Sequence, residues 1–212
     1  MCPISSIKCR WVLLLCALIV SVSGVYFYRH TITEAPKIDG VYLPSASSMP
    51  DFHFTDNKNN AFSKENLKHH WTLLFFGFTN CGFVCPSTLT ELNKMMTLLD
   101  KKVDASKMPQ IVFMSVDPER DTVQRLDNYV TAFNSTFIGL RGKESDTEAL
   151  EKELHIVAAK TESSRANDKS YTIDHTAEIL LINPDAKLQA YLSYPHEAKQ
   201  MADDYQKILA AV

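Results

Sequence analysis

The segment WTLLFFGF, Trp71 to Phe78, constrains the fold more than any other, because it runs straight into TNCGFVCP and then a helical pattern. Its apolar and aromatic content is that of a short strand buried on both faces of a sheet. Thr79, Asn80 and Gly82 end that pattern. Pro86 lacks a backbone N–H and disfavours the helical region for the residue before it, which predicts Cys85 at an N-cap and Pro86 at the first helical position. Leu89, Leu92, Met95, Met96 and Leu99 then recur at helical spacing. A thiol at a helix N-terminus faces unpaired N–H groups and the positive end of the macrodipole, so Cys85 is expected to ionise more readily than a free cysteine. Cys81, one loop turn earlier, suits either a disulfide with Cys85 or a shared metal, and spacing does not choose between them. The plainer reading is two buried apolar thiols or one structural disulfide. The position between strand and helix favours chemistry.

The chain has 212 residues and five cysteines, of which Cys2, Cys9 and Cys16 lie near the N-terminus. One pair beyond the leader does not make a disulfide-stapled domain, so the fold must carry its own core. With 22% charged residues and a net charge of -3 there is no basic excess, and no nucleic-acid partner is expected. Lys8 and Arg10 precede an uncharged run of 18 residues, Trp11 to Tyr28, closed by Arg29 and His30. As a helix that run is about 27 Å long, close to the hydrocarbon thickness, with Trp11, Tyr26 and Tyr28 where interfacial aromatics belong. A single transmembrane helix is predicted, with Lys8 and Arg10 cytoplasmic and the C-terminal domain in the periplasm, at a bacterial inner membrane. Ser21 and Ser23 admit a cleaved signal peptide as the alternative. Leu15 is too large to precede a lipid-attachment Cys16. The expected organisation is a membrane anchor or signal segment over 1–30, a polar Pro-punctuated tether over 31–50 and one domain over 51–212.

Within that domain DFHF and AF, around the turn-like Asp56 to Asn60, read as a small hairpin. Ser63 begins one helical turn. After the cysteine helix, Met108 to Val116 reads as a second buried strand, and Asp121 and Thr122 open a helix carrying Leu126, Tyr129, Val130 and Phe133. Phe137 to Leu140 is a short strand. Ser145 with Glu148 matches a capping box opening a helix through Leu150 and Leu154. Ile156 to Ala159 is extended and Thr161 to Ser170 a loop. Glu178 to Asn183 and Lys187 to Leu192 are strands around Asn183-Pro184-Asp185, and a helix from about Glu197 to Leu209 closes the chain. This order predicts an α/β domain, a mixed sheet covered by helices on both faces, and with the cysteine pair it fits a thioredoxin-like fold.

Of seven histidines, His30, His69, His70 and His196 have polar or connecting contexts, and His53 and His155 read as surface or core residues. His175 stands apart in YTIDHTAEILLI, after Asp174 and before an apolar strand.

FFGFTNCGFVCPSTL, SVDPERDT at Ser115 to Thr122 and IDHTAEILLINPDAKL at Ile173 to Leu188 together resemble the SCO/SenC family of membrane-tethered copper proteins. The resemblance covers nearly the whole domain in order. It implies a thioredoxin-like domain that binds copper, as Cu(I) or Cu(II), through Cys81, Cys85 and His175. Its partner would be cytochrome c oxidase subunit II or another copper-accepting protein, served by copper delivery, by reduction of that subunit's cysteines, or by both. Two soft thiolates suit Cu(I), an added imidazole admits Cu(II), and three ligands leave a position open to a partner. Asp174 and Asp117 are candidates for orienting His175, with surface capping as the alternative. The sequence departs from the family at Gly82-Phe83, where Pro-Asp is common, and at Val123, where Pro is common. The competing function is a periplasmic thiol-disulfide oxidoreductase using Cys81 and Cys85 as a redox pair; thioredoxin-type enzymes use C-x-x-C, so the extra residue counts against it. A peroxiredoxin-type peroxidase would need Ser or Thr three residues before its reactive cysteine, where this chain has Phe78 or Gly82. A structural zinc site lacks a fourth ligand. A metallochaperone rather than an enzyme is expected.

Overall fold

The computed structural model describes residues 7–31, 35–162 and 171–212, and divides into two units between Ala35 and Pro36. The first contains one helix, α1 (Ile7–Thr31). Its described side chains run from Trp11 to Gly24 and are all exposed. Among the described residues no helix is long and apolar enough to cross a membrane. The side chains expected at the far boundary, Tyr26, Tyr28, Arg29 and His30, lie outside those described, as do Cys2 and those of Lys8 and Arg10.

The second unit runs in chain order through β1 (Gly40–Ser48), β2 (His53–Asp56), β3 (Ala61–Ser63), β4 (Thr72–Gly77), α2 (Val84–Leu99), β5 (Gln110–Ser115), α3 (Val123–Phe133), β6 (Ile138–Arg141), α4 (Glu144–Glu153), β7 (Ala158–Glu162), β8 (Tyr171–His175), β9 (Ile179–Asn183), β10 (Lys187–Leu192) and α5 (Ala198–Ala211). Eight strands form one mixed sheet in the order β1-β10-β9-β4-β5-β6-β2-β3. β4 runs parallel to β5 and antiparallel to β9, and β5 runs parallel to β6. Among the described residues β7 and β8 pair with each other alone, as a separate two-stranded sheet.

Every residue of β4 is buried, because side chains alternate between two covered faces. Leu73 and Phe75 meet Leu89, Leu92 and Met95 of α2, Leu126 and Val130 of α3, and Tyr205 and Ile208 of α5. Leu74 and Phe76 meet the opposite layer, made from Phe52, Phe54, Phe62, Leu150 of α4, Leu154 at its C-cap, and Ile173 of β8. Each such side chain contributes about 1.5–3 kcal/mol of transfer free energy. The strand is pinned at the centre of the molecule for that reason.

Three expectations are corrected. Gly40–Ser48, read as part of a tether, is the edge strand β1 on β10, with an irregularity between Tyr42 and Ser47 that accommodates Pro44; an edge tolerates a missing donor and polar side chains. α4 begins at Glu144 with Lys143 as its N-cap and no side-chain cap, and Ser145 instead donates to Asp146. His175 ends its own strand, β8, rather than leading into β9. The segment 163–170, most of the expected loop, lies outside the described residues. The hairpin β2–β3 and the turn capped by Ser63 form as the turn chemistry predicts.

Candidate metal centre

Helix α2 begins at Val84 after Phe83, two residues before the expected start, so Cys85 and Pro86 are its second and third residues. Pro86 remains harmless there, since first-turn N–H groups have no intrahelical partner. The N–H of Cys85 is taken up by the Cys81 sulfur, at 3.4 Å. Cys81 Sγ thus receives the donor that a capping oxygen would otherwise accept.

That geometry reverses the expected roles of the two thiols. Cys81, partly exposed, is held down to about 3. The leading cause is a hydrogen bond from the Cys85 thiol, reinforced by the backbone N–H of Cys85. Cys85 is fully buried. Its role as donor to Cys81, together with burial, pushes its thiol up. The thiolate at this helix N-terminus is therefore Cys81. Both thiols are free.

His175, the last residue of β8 in the separate two-stranded sheet, reaches the same point. Its Nε2 lies 3.5 Å from Cys85 Sγ, and its Nδ1 lies 2.8 Å from the carbonyl of Thr176. A carbonyl only accepts, so Nδ1 carries the proton and the Nε2 lone pair faces the sulfurs. Phe75 and Phe78 pack against the ring edge-on, with centroids 6.0 and 5.8 Å away. Among the described residues Cys81, Cys85 and His175 form the one group of three potential metal ligands, their donor atoms all within 4.8 Å of one another. Two sulfurs and one imidazole are a soft-to-borderline donor set, suited to copper or zinc rather than to magnesium or calcium.

The carboxylates expected to orient His175 do other work. Asp174 accepts from Thr161, and Asp117 from Arg120 and Tyr171. Two further residues, Gly77 and Asp121, shape the site. A Cβ on Gly77 would stand 2.8 Å from Cys85 Sγ and 2.7 Å from the Phe113 ring, so only glycine leaves room for the sulfur. Asp121, fully buried, accepts from the Thr79 N–H at 3.1 Å and the Ser115 hydroxyl at 2.7 Å, tying the loop before Cys81 to the end of β5. An isolated glycine in a buried strand is the sequence signal for the first. The second needs the fold.

His53, His69, His70 and His155 are exposed, while His196 is buried against Phe75, 3.1 Å from the Thr88 hydroxyl. At the open side of the site Gly82 has nothing within 4 Å of where a Cβ would be, and Phe83 is 70% exposed.

The SCO1/SenC family model matches residues 42–210. The chain belongs to this family. It is similar to the mitochondrial SCO2 homolog of Danio rerio, 32% identical over 158 residues, covering 74% of this chain and 56% of that protein. Among solved structures it resembles Bradyrhizobium japonicum ScoI with copper bound, with TM-score 0.66 and 30% identity over 76% of this chain and 99% of that one. It also resembles Arabidopsis thaliana ScoI with copper bound, with TM-score 0.70 and 27% identity over 77% and 99%.

Proposed function

We propose that this protein is a membrane-tethered copper carrier that holds Cu(I) or Cu(II) on Cys81, Cys85 and His175 and passes it to the copper site of cytochrome c oxidase subunit II or another copper-accepting protein. The convergence of two sulfurs and an imidazole nitrogen within 4.8 Å carries the reading, and the copper-bound relatives support it. Cys81 is ready as a thiolate, the Cys85 proton leaves when metal binds, and the Nε2 lone pair is already free. With three protein ligands, a fourth position is left to an acceptor, which suits transfer better than storage. The anchor is the apolar run Trp11 to Tyr28, and Lys8 and Arg10 ahead of it place the domain on the periplasmic side of a bacterial inner membrane.

The asymmetry of the thiols favours a second activity on the same residues. The partly exposed Cys81 thiolate attacks one sulfur of a partner disulfide and expels the other as a thiolate. Cys85 gives its proton to the partner thiolate just expelled and, as a thiolate, attacks Cys81 Sγ of the mixed disulfide, expelling the second partner sulfur, which takes its proton from solvent. The partner leaves as a dithiol, and one Cys81–Cys85 disulfide is formed per two electrons given. Oxidised in this way, the protein loses both sulfur ligands, so the two activities exclude each other at any moment.

The test is an anaerobic titration of the reduced full-length protein with Cu(I) against a competing chelator and with Cu(II) by absorption spectroscopy, beside His175→Ala. One copper per chain, a sulfur-to-copper charge-transfer band and a selective loss of Cu(II) in the variant are expected. An unchanged Cu(II) spectrum in His175→Ala would refute the ligand assignment, and weak binding of both ions by the native chain would leave the thiol reaction as the function.

A further inference from the structure

The eight-stranded sheet fixes the sulfurs, but nothing in that ladder fixes His175. Among the described residues its strand β8 pairs with β7 and with no strand of that ladder, so side chains set where the imidazole stands. Arg120, in the DPERDT turn after β5, is placed to do this. Its Nε donates to the buried Asp117 carboxylate, and its Nη1 donates to the Tyr171 carbonyl, the first residue of β8, at 2.8 Å. The guanidinium carbon lies 3.6 Å from the centroid of the Tyr171 ring and 5.8 Å from that of Phe78. Phe78 in turn packs on the His175 ring and ends the segment that leads to Cys81. The Tyr171 hydroxyl closes the circuit by donating to Asp117 at 2.7 Å. Asp121, four residues on from Asp117, holds Thr79.

We infer that Arg120 is the positioning residue of this centre: through Asp117 and Tyr171 it sets the His175 strand against the cysteine loop, and so sets how well the imidazole can join the two sulfurs on one metal. The inference rests on the proposed copper function. Arg120 makes two donations from different edges of one planar group while stacking on an aromatic face. A lysine ammonium, a point charge on a flexible stem, cannot reproduce that. The remaining guanidinium nitrogen, Nη2, is buried with no partner among the described residues, so the group is held here at some cost in desolvation. Ile173, buried against the α4 layer, holds the middle of β8 to the core, which is why losing Arg120 should displace the strand's setting rather than unfold it.

Copper binding by the full-length chain is compared with Arg120→Lys and Tyr171→Phe. In Arg120→Lys, Cu(II) affinity should fall about 10–100-fold, the usual size of an effect on a metal ligand's outer partners, with a shifted charge-transfer band. Cu(I), which two thiolates hold, should change less than about threefold. Tyr171→Phe keeps the ring and the carbonyl but loses the bond to Asp117, and should shift the same band by less. In the copper-free protein, hydrogen exchange at the β8 amides should quicken in Arg120→Lys while exchange in β4 stays as it was. An unaltered Cu(II) band and unaltered β8 exchange would overturn the inference. Equal loss of Cu(I) and Cu(II) would overturn it too, showing general support of the fold. A native chain that binds no copper would instead refute the function on which it rests.

Discussion

The two halves of the Cys81–Cys85–His175 group are held by different means. The cysteines sit where a fully buried strand of the main sheet meets a helix with six buried residues, and a one-residue slip there would turn the whole apolar set of β4 inside out. The histidine ends a hairpin outside that sheet and depends on a few side-chain contacts. Register in a ladder is specified collectively; individual contacts can yield one at a time. Under the proposed function, the ligands that suffice for Cu(I) are the fixed ones, and the ligand added for Cu(II) is the adjustable one.

The sharpest way to break this comparison is at the fixed half. Cys81→Ser or Cys85→Ser should lower affinity for both copper ions by far more than the about 10–100-fold typical of an outer partner, measured by chelator competition; retention of either ion at native affinity would refute the division. Gly77→Ala comes next. The added methyl has no room beside Cys85 Sγ and Phe113, and overpacking of this kind costs about 1–3 kcal/mol. Thermal melting should show that loss, and both ions should bind more weakly, unlike the selective effect of His175→Ala.

Thiol reactivity sharpens the contrast within the fixed half. With Cys81 held down to about 3, its labelling by iodoacetamide in the copper-free protein should be nearly flat between pH 5 and 8, whereas an ordinary thiol slows about tenfold per unit below its pKa. Cys85, buried and pushed up, should stay unlabelled throughout. The depressed value also means that the stabilisation from this thiolate is lost as pH falls toward 3. A peptide map with the label mainly on Cys85 would reverse the assignment.

A smaller effect is expected from Glu151, on the face of α4 toward the hairpin. Burial, and then the neighbouring Glu148, raise its carboxyl from 4.5 to about 7. The folded state therefore holds more protons than the unfolded chain between those values, and stability falls as pH rises through that window. Glu151→Gln should raise Tm by about 2–4 °C per kcal/mol recovered at pH 8, and should do nothing at pH 4. A gain at pH 4 as large as at pH 8 would assign the effect to packing instead. Smallest of all, Gly82→Ala should leave stability within about 0.5 kcal/mol, because the added methyl meets nothing.

Much of this was readable from the chain. Trp71 to Phe78 had to be a central strand because nothing but a two-faced burial accommodates that run, and the spacing of Leu89, Leu92, Met95 and Leu99 had to be a helix packed on it. The cysteines and His175 were legible as a site through the residue types beside them in three separate blocks of sequence. β1 was missed because an edge strand needs no apolar alternation, only a partner's free backbone groups, and that partner, β10, lies some 150 residues later. From the sequence came the buried strand and helix, through their local apolar pattern, and, through the family resemblance, the side chains that meet at this centre. Only the tertiary structure decided which sulfur is the thiolate and which residue aims the imidazole. Both depend on a few ångströms of approach between distant segments: Cys81 beside the first turn of its own helix, and Arg120 against Tyr171 and Phe78. Pattern along a chain specifies faces and layers, but it does not specify distances between them.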